Sequence, residues 1–395
     1  LPRRSVKHPS ILLQLLSTAL MLGAAGCSRP VLRESAPLEI LGREAVLDVT
    51  ARDAPRIDSL ASVLQGEMAG LRKVLDASNP DSEIRRVNRL AGSMSLPVSK
   101  TISQILILSR RANEASEGAF DLTLEPYLQI WGFRGGPVPD SPPMELLDAA
   151  RSVLGMKHIS QRVDMVGFDN EVVSISVDPV IEGYLADMCI LKLRGSLVNN
   201  AMVRIGRAVR VLGSKSEAEA WRVTVPDPRG DGTGALGSLM LGGAKDRQAA
   251  NSCHAFDQYV EGLEGRISWV MDPSTGLPAT KTLYALVVAS TAFEADALSY
   301  ALVVRGVEGA PRLLARFPKC EALLIPADDP AQVWLTSGMR DLFTAEAGAN
   351  LDLRDLMREE PPAPQPQPAP GETAPEGAVE GEAKPAEAKP VDARE

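Results

Sequence analysis

Four short segments carry the residues best suited to chemistry, each joining a glycine or proline turn to a carboxylate and usually an aromatic. The first is Asp81-Ser82-Glu83 with Asn88, and the second is Gly118-Ala119-Phe120-Asp121 followed by Trp131-Gly132-Phe133. The third is Glu182-Gly183-Tyr184 with Asp187. The fourth joins Asp272-Pro273-Ser274-Thr275-Gly276-Leu277-Pro278 to Glu294-Ala295-Asp296-Ala297-Leu298. With 3 His and 4 Cys, no C-x-x-C and no H-E-x-x-H, the usual zinc sites are excluded. The metal chemistry left to such carboxylates is magnesium or calcium held by oxygen ligands. Taken singly, each segment also has a structural reading: a cap or Asx-turn for Asp81 and Asp272, a core aromatic for Phe120 and Trp131, a solvated helix face for Glu294.

The elements that must position these segments follow from the hydrophobic period. Residues 56–75 and 99–117 read as amphipathic helices; in the second, Ile102, Ile105, Leu106, Leu108 and Ala112 form an apolar stripe and Gly118 is the stop. Runs rich in β-branched residues at 163–177, 202–212, 221–225 and 283–289 read as strands, and 294–305 and 308–317 return to helix. Strands in succession, with helices clustered before and after, predict an α+β fold of mixed sheets and packed helices rather than a regular βαβ alternation.

The 395-residue chain is 45% hydrophobic and 24% charged, the balance of a protein that buries a core. Its 42 Lys+Arg against 51 Asp+Glu give a formal charge of −9, and the basic residues form no run, which excludes nucleic acid as a partner. Arg3, Arg4 and Lys7 precede an apolar run over 11–25 that is too short to span a bilayer and ends in Ala24-Ala25-Gly26-Cys27. Residues 1–26 therefore read as a bacterial lipoprotein signal with Cys27 as the lipid-bearing residue, an ordinary export signal being the alternative. The lipid anchor would hold the protein to the membrane in the bacterial cell envelope, on the outer side of the inner membrane or in the periplasm. Cys189, Cys253 and Cys320 are then an odd set, allowing one disulfide or three buried reduced thiols. Residues 27–37 read as a tether, 38–358 as the globular part and 359–395 as a disordered tail. From Pro361 to Glu395 there are nine prolines, seven acidic and three basic residues and no aromatic, too little apolar surface to offset ordering entropy.

In their order and spacing, the motifs resemble the FAD:protein FMN transferase (ApbE) family over about residues 41–325. They are S-E-I…N at 82–88, G-A-F-D at 118–121, W-G-F at 131–133, E-G-Y-x-x-D at 182–187, D-P-x-T-G-x-P at 272–278 and A-D-A-L at 295–298. The resemblance implies a T-fold-related α+β body of two subdomains. It also implies a transferase that splits the FAD pyrophosphate, moves FMN onto a Thr or Ser hydroxyl of an acceptor subunit of a membrane redox complex, and releases AMP. Magnesium (Mg) would stabilise the charge building on both phosphates. Carried over by position, the FAD contacts are Leu41, Ala119, Phe120, Asp121, Ser176, Glu182 and Met271, the metal ligands are Pro179, Asp296 and Tyr300, and Asp296 is the catalytic residue.

Several ligand positions depart from the family pattern. Tyr300 stands for a Thr, Ser176 for an Asp, Ser78 for an aromatic and Trp269 for a His; M-G-T reads Leu41-Gly42-Arg43, and G-G-D reads Gly206-Arg207-Ala208. The alternative reading is accordingly a catalytically inactive flavin-binding or scaffold lipoprotein of the same fold.

Overall fold

A computed structural model describes residues 32–360, apart from 52–56, 140, 197, 216–218, 230–233, 244–247, 257 and 263–264. The signal, Cys27 and the tail beyond Glu360 lie outside the described residues. Residues 32–37, expected as tether, instead belong to the first strand, Leu32–Ile40, which pairs residue by residue with Arg43–Ala51.

Among the described residues nine strands form one sheet, in the spatial order Leu32–Ile40, Arg43–Ala51, Ala201–Ile205, Ala208–Leu212, Ala249–His254, Thr282–Ala289, Glu321–Pro326, Gln332–Leu335 and Asp352–Asp355. All neighbours are antiparallel except the last pair. The strand Thr282–Ala289 explains its own apolar sequence. Ala285, Val287 and Ala289 enter one core, whereas Tyr284, Leu286 and Val288 enter the other. A strand of period two that is covered on both faces has no solvent side to mark with polar residues. The first core packs the sheet against the helices Ile181–Arg194 and Ala292–Ala315, and the second against a three-stranded sheet of Trp221–Pro226, Ala235–Leu241 and Phe343–Ala345.

Helices Ile57–Leu75 and Lys100–Ala115 stand where the period predicts them, the second capped by Ser99, whose side chain accepts from the Ile102 N–H at 3.4 Å. The expected break between 305 and 308 is real: Ala292–Ala315 is interrupted at Gly306 (φ +74°, ψ 178°). Two strand expectations need correction. Residues 202–212 are a hairpin turned at Gly206-Arg207, and of 163–177 only Met165–Phe168 pairs. Beyond it, the Asn170 side chain accepts from the N–H groups of Val172 and Val173, an Asx-type turn that competes with sheet pairing. Of the two cysteine alternatives, the structure shows Cys189, Cys253 and Cys320 buried with no disulfide among them. Among the described residues no helix is long and apolar enough to cross a membrane.

Candidate active site

Four segments far apart in sequence meet where the helices Ile181–Arg194 and Ala292–Ala315 cross. Gly183 makes the crossing, since a Cβ there would stand 2.3 Å from the Ala292 carbonyl oxygen and 2.7 Å from Asp296 Oδ2. Without that methyl, the Gly183 N–H donates to Asp296 Oδ2 at 2.7 Å, so the Asp296 carboxyl caps the start of a neighbouring helix. Asp187 does the reverse: its carboxylate accepts from the Ala292 and Phe293 N–H groups at 3.0 Å each, and Arg210 Nε lies 2.8 Å away. The two helices are thus capped by each other's aspartates.

Asp296 is 3% exposed, and among the described residues its Oδ1 has no hydrogen-bond partner. Burial first, then the Glu182 charge, hold its carboxyl well above the usual carboxylate range, against the opposing pull of the Gly183 N–H and Arg207. Burial likewise raises Asp187, with Arg210 opposing. Glu182 sits on the turn of the Ala201–Leu212 hairpin. It accepts from the Arg207 N–H at 3.0 Å, and a Cβ on Gly206 (φ +54°) would come within 2.4 Å of its Oε1. Arg43 and Arg207 flank it, with Nε to carboxylate distances of 3.6 and 4.0 Å. Arg43 leaves the first hairpin turn, where Leu41 holds a left-handed φ of +53°.

One helical turn beyond Asp296, Tyr300 leads into an aromatic cluster. Its ring meets Phe120 and Trp269 edge-on, with centroids at 6.2 and 5.6 Å. Its hydroxyl accepts from the Met271 N–H at 3.0 Å and donates to the Met271 carbonyl at 3.3 Å. Ala119, Phe120, Met271 and Tyr300 are all buried. Asp121 is bracketed by its own fold: Oδ1 accepts from the Thr123 N–H and hydroxyl, both at 2.7 Å, and Oδ2 from Asn113 and the Met156 N–H at 3.0 and 3.3 Å. Ser176 is buried and donates to Asp178 Oδ2 at 3.1 Å, and Arg134 bridges Asp178 to Glu125. Pro179 lies in the turn that opens the Ile181–Arg194 helix. The structure therefore brings Leu41, Glu182 and Asp296 to one junction, and Ala119, Phe120, Met271 and Tyr300 to the adjoining aromatic cluster. Arg43, Arg207, Asp187 and Arg210 complete the junction; the E-G-Y-x-x-D spacing marked Asp187 in advance and the altered M-G-T and G-G-D segments marked Arg43 and Arg207, whereas no motif marked Arg210.

A family model, that of the ApbE family, matches residues 43–324. The chain belongs to the ApbE family. An FAD:protein FMN transferase of Klebsiella pneumoniae is 26% identical over 308 residues, covering 76% of this chain and 86% of that one. The crystal structure of the Pseudomonas stutzeri flavinyl transferase ApbE, apo form, has a TM-score of 0.68 at 24% identity, covering 80% of this chain and 98% of that one. The ApbE protein of Thermotoga maritima gives 0.69 at 22%, covering 79% and 100%. Within this ApbE fold, the donors implied for magnesium do not come together as a set. Asp296 offers one buried oxygen without a partner, but the Tyr300 hydroxyl is engaged by the Met271 backbone as both donor and acceptor. Among the described residues no three His, Cys, Asp or Glu side chains form a metal-holding group. A small octahedral cation tolerates little displacement of its ligands, so this donor set does not fit it. Beside the Asp272–Pro278 turn lies a cavity of about 460 Å³, walled by Trp131, Phe256, Ile267, Leu277, Pro278 and Leu283.

Proposed function

We propose that the chain transfers the FMN half of FAD to a Thr or Ser hydroxyl of an acceptor protein and releases AMP. Family membership and the activity named for the relatives support this reading. On this chain it is carried by one observation, the buried Asp296 with an unpartnered oxygen at the meeting of two helix N-termini. In the transfer, the bond between the two phosphates breaks, the acceptor oxygen bonds to the FMN phosphorus, and the hydroxyl proton leaves. Burial raises the pKa of the Asp296 carboxyl and so makes its ionised form a stronger base than an exposed carboxylate, and the role given to Asp296 is that of proton acceptor. The Ala119–Asp121 turn, with Leu41, Ser176, Glu182 and Met271, forms the proposed FAD site; the buried members act by shaping the backbone. The cavity beside the Asp272–Pro278 turn has a size and apolar lining compatible with a planar ring system. Magnesium is the ion that the family chemistry implies, and no step here runs through it. Lipidation at Cys27, a location in the cell envelope and an acceptor in a membrane redox complex complete the proposal.

The sealed cluster of Phe120, Trp269 and Tyr300 favours a second reading, a flavin-binding or scaffold protein without turnover. One assay separates the two. The purified chain lacking residues 1–27 is titrated with FAD, with flavin fluorescence and chromatographic detection of AMP as readouts. Binding with AMP release that Asp296→Ala abolishes supports the transferase; binding without AMP selects the second reading; undiminished release by the variant refutes the role of Asp296.

A further inference from the structure

Another cavity, of about 270 Å³, is walled by the helices Ile181–Arg194 and Lys100–Ala115 and by the start of Ala292–Ala315. One face of the first helix supplies Tyr184, Met188, Leu191 and Arg194, spaced three or four residues apart, and Leu108 and Phe293 come from the other two. Leu191 is 59% exposed, an apolar side chain left at the rim. The volume is just under the roughly 300–1,000 Å³ of sites for drug-sized ligands, so the occupant it suits is smaller.

Two arginines line this cavity from opposite ends of the burial scale. Arg194 ends its helix exposed, and among the described residues it makes no hydrogen bond or ion pair. Arg210 is 6% exposed; its Nη1 donates to Gln248 Oε1 at 3.3 Å, and its Nε lies 2.8 Å from Asp187 without an aligned hydrogen bond. Burial lowers the pKa of the Arg210 guanidinium, Asp187 opposes that shift, and the Arg194 charge adds to it. The two cations are therefore close enough to repel. Asp187 is the carboxylate among the lining residues, and it already serves Arg210 and two backbone N–H groups. One positive charge in the wall is left unbalanced, beside apolar surface.

We propose that this cavity binds a small organic anion with an apolar body, the class of a short fatty carboxylate. Its head sits between Arg194 and Arg210, and its chain lies against Leu108, Met188 and Leu191. Guanidinium groups present forked N–H donors that match a carboxylate, and the anion relieves the repulsion between them. Removing the chain from water along the apolar wall supplies the rest. The site does not depend on the flavin reading, and it is measured without FAD.

The test is calorimetry on the full chain with three probes: hexanoate, hexanol, which lacks the charge, and acetate, which lacks the chain. Arg194→Gln and Leu191→Asn are compared with the parent, with circular dichroism and melting curves as the control for folding. Hexanoate is expected to bind saturably and about tenfold or more tighter than either other probe. Arg194→Gln is expected to lose roughly tenfold for hexanoate and nothing for hexanol, and Leu191→Asn to lose about threefold or more for hexanoate. Hydrogen exchange with hexanoate bound is expected to slow in residues 184–194. Absence of saturable hexanoate binding overturns the proposal, as does acetate or hexanol binding as tightly as hexanoate. A folded Arg194→Gln within twofold of the parent, or protection confined to other segments, overturns it as well.

Discussion

Replacing Tyr300 with Phe tests whether that position serves packing or metal binding. Tyr300 is 2% exposed, and its hydroxyl bonds the Met271 N–H at 3.0 Å and the Met271 carbonyl at 3.3 Å. Tyr300→Phe keeps the edge-on contacts with Phe120 and Trp269 but leaves a buried N–H without its acceptor, which costs about 1–3 kcal/mol. Tyr300→Thr also removes the ring, and loss of a buried aromatic adds about 3–5 kcal/mol. The expected order of stability is therefore parent, then Phe, then Thr, with Thr weakest although it restores the residue of the family pattern. Equilibrium urea unfolding followed by far-UV circular dichroism gives the free energies, and tryptophan fluorescence reports locally because the Trp269 ring lies 5.6 Å from that of Tyr300. In parallel, the magnesium response of FAD turnover is expected to be the same in Tyr300→Phe and the parent. A Phe variant within about 0.5 kcal/mol of the parent, combined with an altered magnesium response, would refute the reasoning, because it would place the hydroxyl on the metal rather than on Met271.

Asp296→Asn tests the charge assignment through pH. Because the folded pKa of Asp296 is raised, its contribution to stability is complete below the unfolded value, near 3.8, and is lost as pH rises through the folded value. Asn keeps an oxygen for the Gly183 N–H and does not titrate, so the urea midpoint of the variant should gain on the parent as pH rises and then level off. Parallel pH profiles would contradict burial of a titrating Asp296. Asn88→Ala removes two hydrogen bonds to the Ile175 backbone, both 2.9 Å, and leaves a buried N–H unpaired. A destabilisation of about 1–3 kcal/mol and faster hydrogen exchange at the Ile175 amide are expected, and an unchanged exchange rate would show that Asn88 does not hold that segment.

The motif segments were legible in sequence because each is local: a turn glycine, a capping serine or a carboxylate at fixed spacing reports on its own few residues. Hence Ser99 and Gly118 marked the ends of one helix, and the break near Gly306 was visible as a gap between two helical periods. The run at 163–177 failed for the same local reason, since β-branched residues suggest strand whether or not a partner strand exists, and here the Asn170 turn takes the backbone instead.

The junction itself was not legible. Arg207 follows a glycine in a hairpin turn and lies 25 residues from Glu182, and no periodicity links the two. Sequence alone determined the residue types, the order of the motifs and the departures from them, because those are properties of single positions. Only the tertiary structure decided that Gly183 lets two helices approach closely enough for Asp296 to cap its neighbour, that Tyr300 bonds Met271, and that two arginines face one glutamate. Charge and hydrogen bonding depend on distances of a few ångströms, and those distances are set where elements far apart in the chain pack together.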